Sequence, residues 1–138
     1  MKAVVQRVSS AAVSVDGEEI SRIGAGMVVL LGVGAGDTGE QAERMASKLS
    51  RLRIFDDGEG RMNDPLGDRD VLCVSQFTLY GDTSKGNRPS WIGAARGEVA
   101  EPLYRQVCER LGAKSGRFGA EMKVDITGDG PVTVLIDV

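Results

Sequence analysis

Seven consecutive residues, Met27-Val28-Val29-Leu30-Leu31-Gly32-Val33, carry no charged or hydrogen-bonding side chain. The run is far short of the roughly 18 residues that a membrane-crossing helix needs. As a strand it places apolar groups on both faces, so both faces have to be covered by the rest of the chain. A layered fold around a buried strand is therefore the starting expectation.

The residues before this run also read as strands. Ala3, Val5 and Arg7 alternate with Val4, Gln6 and Val8, and Ala11-Ala12-Val13-Ser14-Val15 follows. Asp16-Gly17 is a strong signal for a two-residue hairpin leading into Glu18–Ile23. Gly24-Ala25-Gly26 then turns the chain into the apolar run. Thr38 with Gln41 three residues on has the form of a capping box. Ala42, Met45, Ala46, Leu49 and Leu52 make an apolar stripe at helical spacing.

Further along, Ile54-Phe55 suits a short strand and residues 56–69 a polar loop. Val71-Leu72-Cys73-Val74 reads as a second buried strand that runs into Ser75-Gln76-Phe77-Thr78-Leu79. Residues 81–97, punctuated by Gly81, Gly86, Pro89 and Gly93, read as loop. Val99, Leu103, Val107 and Leu111 recur every four residues and predict a second helix, closed by Gly112, with Pro102 in its first turn. Two final strands are expected at about 119–127 and 132–138, joined by Gly128-Asp129-Gly130-Pro131. The sum is an α+β fold: a strand-rich single domain over residues 1–138, with two main helices packed on β-sheet.

The chain contains no histidine. That excludes Ser-His-Asp and Cys-His nucleophile systems and His-rich catalytic zinc sites. Acid–base chemistry is left to carboxylates, lysine, hydroxyls, backbone groups or the substrate itself. Cys73 and Cys108 lack CxxC spacing and lie in apolar stretches, as buried reduced thiols do. No metal and no cofactor is expected. The N-terminus, Met1-Lys2-Ala3-Val4-Val5-Gln6-Arg7, loses its apolar character too early for a secretory signal, so a cytoplasmic protein with no membrane contact is expected. A net charge of −3 argues against nonspecific coating of nucleic acid but not against recognition of one RNA end. Local cations include Lys85, Arg88, Lys114, Arg117 and Lys123.

Gly34-Ala35-Gly36-Asp37-Thr38-Gly39 matches GxGxxG between a strand and a helix, which is the context of a dinucleotide site. Asp37 would set a carboxylate where a pyrophosphate should lie, and no second βαβ unit follows. A glycine-rich turn is the stronger reading, with dinucleotide binding as the alternative.

Ser-Gln-Phe-Thr at 75–78 and Gly-Pro-Val-Thr at 130–133 resemble the two signature motifs of the D-aminoacyl-tRNA deacylase family. The resemblance extends over nearly the whole chain through Gln6-Arg7-Val8, Ile23-Gly24-Ala25-Gly26, Arg53-Ile54-Phe55, Arg61-Met62-Asn63, Arg88-Pro89-Ser90 and Gly116-Arg117-Phe118-Gly119-Ala120. Ser75 and Phe77 place the chain with the D-specific branch rather than the branch carrying Pro-Gln. Gly128 departs from the asparagine common two residues before the Gly-Pro pair, and Trp91 replaces a phenylalanine.

The resemblance implies the family's fold and a hydrolase that frees D-amino acids from the 3′ end of tRNA and rejects L-aminoacyl-tRNA. It implies a homodimer in which cis Gly130-Pro131 of one subunit, with Val132 and Thr133, enters the other's pocket, supported by Arg7. Ser75, Gln76, Phe77 and Thr78 would form the catalytic turn, while Phe118 and Met122 would contact the terminal adenine. Mischarged glycyl-tRNA is a further expected substrate. A noncatalytic RNA-end binder with the same pocket remains the third reading.

Overall fold

The computed structural model describes residues 1–138. Strand β1 (Lys2–Val15) is one continuous element, and the Asp16-Gly17 turn folds β2 (Glu18–Ile23) back against its second half. Both turn residues have positive φ, 51° and 79°, as a hairpin turn matching the strand twist requires. Strand β3 (Gly26–Gly32) lies antiparallel to the first half of β1, with Val5 opposite Val29.

Helix α1 (Gly39–Arg51) starts at the expected capping box, in which Thr38 and Gln41 satisfy each other's end of the first turn. It buries Ala42, Met45, Ala46 and Leu49. Residues 56–69 are not all loop. β4 (Phe55–Asp56) and β5 (Met62–Asp64) form a small hairpin, closed by the Asp57 carboxylate accepting the Glu59 and Arg61 N–H groups. Strand β6 (Asp70–Ser75) then runs parallel to β3.

Helix α2 (Gly97–Leu111) ends on Gly112 in the left-handed region, as expected. Two details of the sequence reading need correction. The helix begins early enough that Pro102 lies inside it, where its missing N–H leaves the carbonyl of exposed Glu98 without a helical donor. The buried face is Ala100, Tyr104, Val107 and Cys108; of the four-residue repeat only Val107 is fully buried, Leu103 and Leu111 pack at its margin, and Val99 is exposed. A strict spacing of four drifts across a helix face of 3.6 residues per turn, so the repeat starts off the core at Val99 and reaches it at Val107.

β7 (Lys114–Ser115) adds to β6 in parallel. The chain ends in β8 (Lys123–Asp137), a single strand where two joined by a turn were expected. It pairs antiparallel with β1 from Lys2↔Asp137 to Ser14↔Lys123, and the Gly128–Pro131 segment is absorbed as an irregularity in the register. One partner strand, long enough for both halves, makes a reversal unnecessary. The sheet order is β2-β1-β3-β6-β7, with β8 against the other edge of β1.

Alternation along β3 and β6 builds two cores. Met27, Val29, Leu31, Val71 and Cys73 face the helices and join a cluster of 21 buried residues. Val28, Leu72 and Val74 face the other way and pack with Val8, Ala11, Val13 and Ile23. The apolar run is therefore covered on both faces. No helix is long and apolar enough to cross a membrane.

Candidate active site

The parallel strands β3 and β6 end side by side, and a cavity of about 360 Å³ opens beyond them. Leu31, Val33, Val74 and Ser75 line it at the strand ends, Phe77 in the turn that follows, Ala95, Gly97, Ala100 and Tyr104 at and before α2, and Phe118–Ala120 with Met122 beside them, Phe118 against Tyr104. The lining is mostly apolar, with a few polar groups at the strand ends, the usual character of a small-ligand site.

Residues 75–80 are the most specific local feature. Ser75 ends β6, and Phe77–Tyr80 form one 3-10 turn instead of continuing the strand. The Gln76 N–H donates to the Leu31 carbonyl at 2.7 Å, which pins the turn to β3. Gly32 permits this approach, since a β-carbon there would lie 3.0 Å from the Gln76 carbonyl oxygen. The Phe77 and Thr78 N–H groups open the turn, a position where no helical carbonyl precedes them. The Gln76 side-chain amide donates to the Thr78 hydroxyl. No histidine exists to activate that hydroxyl, and no ion pair or hydrogen bond brings a carboxylate or lysine to it.

Of the residues expected from the sequence, Ser75, Gln76, Phe77, Phe118 and Met122 share this cavity. Met122 has two duties, since it also packs against the smaller core and its sulfur would meet any β-carbon at Gly116. Thr78 lies in the same turn but is not part of the lining. Gly130, Pro131, Val132, Thr133 and Arg7 do not reach the cavity of their own chain.

Those residues form a second cluster. The Gly130-Pro131 bond is cis, and both residues are exposed. Arg7, with its side chain only 11% exposed, reaches across from β1. Its Nε donates to the Asp129 carbonyl at 3.2 Å and faces the Asp129 carboxylate at 3.3 Å. Its Nη1 donates to the Ile54 carbonyl at 2.9 Å and pairs with Asp56 at 3.3 Å. The loop is thus tied to the β4–β5 hairpin through one guanidinium, and Asp129 supplies the anchoring next to Gly128. Val132 packs on the main core, while Thr133 is exposed.

Sequence reasoning missed Tyr104. Its hydroxyl donates to the buried Cys73 carbonyl at 2.7 Å, and its ring leans on Phe118 with centroids 5.7 Å apart. Burial, with the neighbouring thiols, pushes the phenol far above its ordinary range, so it stays a donor. A tyrosine one turn from Ala100 could have been placed on the buried face had the stripe been read at 3.6 rather than four. Cys73 and Cys108, far apart in sequence, are neighbours here and remain free; the nearby Cys108 and burial both raise the Cys73 thiol.

The GxGxxG segment is a turn held by its own aspartate. Asp37 accepts the Gly34 N–H at 2.6 Å and the Met1 ammonium at 2.8 Å, filling the space a pyrophosphate would need. No group of three or more His, Cys, Asp or Glu side chains is gathered as a metal ion would require.

Comparison with known proteins gives a consistent answer. The family described as D-Tyr-tRNA(Tyr) deacylase matches residues 4–137. The chain is 53% identical to a D-aminoacyl-tRNA deacylase of Dehalococcoides mccartyi, over 99% of this chain and 94% of the relative. It is 50% identical to the protein of the same name from Porphyromonas gingivalis, over 99% and 97%. Among solved structures, one titled c-Myc DNA Unwinding Element Binding Protein superposes with a TM-score of 0.94 at 43% identity, covering 100% of this chain and 99% of that one. A probable eukaryotic D-amino acid tRNA deacylase superposes at 0.85 with 18% identity, covering 99% and 98%, a likeness of fold.

Proposed function

Because this chain belongs to the D-Tyr-tRNA(Tyr) deacylase family, we propose that it hydrolyses the ester of D-aminoacyl-tRNA to free D-amino acid and tRNA. The observation that carries the reading is the shared cavity of the Ser75–Phe77 strand exit and the Phe118–Met122 wall. A turn that opens with two N–H groups lacking helical partners adjoins an apolar cavity of about 360 Å³.

In this mechanism the terminal adenine lies against Phe118 and Met122, since unpaired RNA ends are held by stacking. The ester carbonyl points at the Phe77 and Thr78 N–H groups. Water adds to the carbonyl carbon, and those donors meet the oxygen as it becomes anionic. The intermediate then collapses, breaking the bond to the ribose 3′-oxygen, which leaves protonated. With no histidine in the chain and Thr78 engaged by Gln76, the terminal ribose 2′-OH is the group that orients the water and passes the proton.

Chirality is read by the Gly130-Pro131 loop of a second copy. Within one chain that loop is exposed and lies outside the cavity, and β8, which carries it, is a 15-residue strand paired on one side only. An unpaired edge of this length invites a partner. Exposed Leu135, with Val4 and Leu79 beside it, supplies apolar surface for a homodimer. Backbone carbonyls from the partner's loop close the pocket on the L side, and rigid backbone leaves room only for a D side chain or none. Glycine has no side chain to exclude, so glycyl-tRNA is also deacylated.

Release of free tyrosine from D-tyrosyl-tRNA, followed by chromatography, tests catalysis directly. The same assay on tRNA ending in 2′-deoxyadenosine tests the proton route and should show turnover lowered at least a hundredfold. Tight tRNA binding with no amino acid released would return the protein to the role of an RNA-end binder.

A further inference from the structure

Residues 82–90 form a small closed loop beside the catalytic turn. Asp82 and Ser90 exchange both backbone hydrogen bonds at 2.9 Å, and the Asp82 carboxylate turns inward to accept the Ser84 N–H. Lys85 and Arg88 stand on this loop and line, with Tyr80, Ser90 and Ile92, a shallow depression of about 550 Å³. Neither cation takes part in any of the ion pairs of the chain, although the protein as a whole is acidic. The one acid on the loop, Asp82, is already occupied by the Ser84 N–H and then the Ser84 side chain, which hold its carboxyl below the usual range.

The base of the loop carries an aromatic group. Trp91, 41% exposed, meets Phe77 edge to face at a centroid distance of 5.3 Å. It is seated against Gly81, where a β-carbon would lie 2.7 Å from the indole ring. Ile92 beside it is 89% exposed. The depression and the catalytic cavity are therefore neighbours. Tyr80 and Gly93 border the first, Phe77 and Ala95 border the second, and each pair comes from the same two segments.

A loop with unpaired cations and a partly exposed aromatic ring at its base offers what single-stranded nucleic acid requires, cations for phosphates and a ring face for a base. We propose that the 82–92 loop is a second RNA-binding site. Lys85 and Arg88 hold phosphates of the single-stranded 3′ end of tRNA, and a nucleotide ahead of the terminal adenosine stacks on Trp91. The proposal rests on the deacylase reading for the identity of the strand. The loop adjoins Phe77, so a strand whose last nucleotide enters the cavity past Phe77 has this surface beside it. It supplies affinity without sequence preference and takes no part in the chemistry.

The test compares the unaltered protein with a Lys85→Ala/Arg88→Ala double variant in binding deacylated tRNA across a range of salt. Roughly threefold loss per cation, about tenfold for the pair, is expected, in line with exposed charge contacts. The slope of log affinity against log salt should fall by about 1.4, two single-strand phosphate contacts. Hydrolysis of a minimal ester, D-tyrosyl-adenosine, should be unchanged, because that substrate ends before the loop. Trp91 is the only tryptophan, so its emission should be quenched when tRNA binds. Equal tRNA affinity and equal salt slope in the two proteins would overturn the proposal, and unquenched Trp91 would overturn the stacking contact. Should the unaltered protein hydrolyse neither ester, the deacylase reading fails, while the affinity comparison still decides the loop.

Discussion

Replacing Tyr104 by phenylalanine removes one oxygen atom and keeps the ring that leans on Phe118. The lost bond is the buried 2.7 Å contact to the Cys73 carbonyl, which ties α2 to β6 beneath the cavity. A buried hydrogen bond of this kind contributes about 1–1.5 kcal/mol, equivalent to a fall in melting temperature of about 3–6 °C for a chain of this length. The cavity wall survives, so kcat/KM for D-tyrosyl-tRNA should stay within about twofold of the original. Tyr104→Ala also deletes the ring, at a cost of about 3–5 kcal/mol, and leaves Phe118 without its neighbour. In that variant KM should rise more than kcat falls, because the adenine wall loosens while the 75–78 turn stays in place. Thermal unfolding and steady-state deacylation of both variants separate these effects. If Tyr104→Phe lost turnover as completely as Tyr104→Ala while remaining folded, the hydroxyl would be acting in the reaction, and the account of Tyr104 as a packing and anchoring residue would be wrong.

Four other perturbations probe different parts of the account. Light scattering or native mass spectrometry at micromolar concentration should show a dimer of the 14.6 kDa chain; a monomer alone would remove the source of the partner's Gly130-Pro131 loop. Arg7→Ala frees Asp129, the Ile54 carbonyl and Asp56 together, so the ratio of D- to L-tyrosyl-tRNA turnover should fall at least tenfold, measured on both substrates; an unchanged ratio would show that Arg7 does not hold the loop. Turnover of D-tyrosyl-adenosine should be insensitive to EDTA, a substrate that avoids the magnesium needed to fold tRNA; activity abolished by EDTA and restored by one divalent ion would refute the metal-free mechanism. Burial, followed by the nearby Asp37 and Asp137 charges, pushes the Tyr80 hydroxyl up to about 12, above its ordinary value of 10.0. The unfolded chain then loses that proton first, so this contribution to stability is complete below pH 10 and declines from there to about pH 12. Denaturant unfolding of Tyr80→Phe across that window should show a shallower decline.

Elements specified by neighbouring residues were legible in the sequence. The capping box at Thr38 and Gln41, the Asp16-Gly17 hairpin, the Gly112 cap and the doubly buried β3 each depend on a few adjacent side chains. The misread elements depend on distant partners. Residues 128–131 look like a turn until β1 is available along their whole length, and β5 exists because the Asp57 turn lets it meet β4. Pro102 was placed by the local rule for helix starts, which cannot anticipate that the 93–97 segment, bonded to the residue just after β3 through the Ala95 N–H and Val33 carbonyl, starts the helix earlier. The two signature segments were recognisable, and the resemblance also implied that they lie apart within one chain, as they do here. That the Ser75 turn and the Gly130 loop fall in different places is a property of the sheet, and the proposal of a second subunit starts from it.

The central claim is that stereochemistry at one carbon decides whether the ester is cut. It is tested most directly by the initial rates of deacylation of D-tyrosyl-tRNA and L-tyrosyl-tRNA, prepared on the same tRNA and measured at the same concentration of the unaltered protein. The account predicts rapid release of D-tyrosine and an L-tyrosyl-tRNA decay indistinguishable from the spontaneous rate. Comparable hydrolysis of both esters, or of neither, would contradict it.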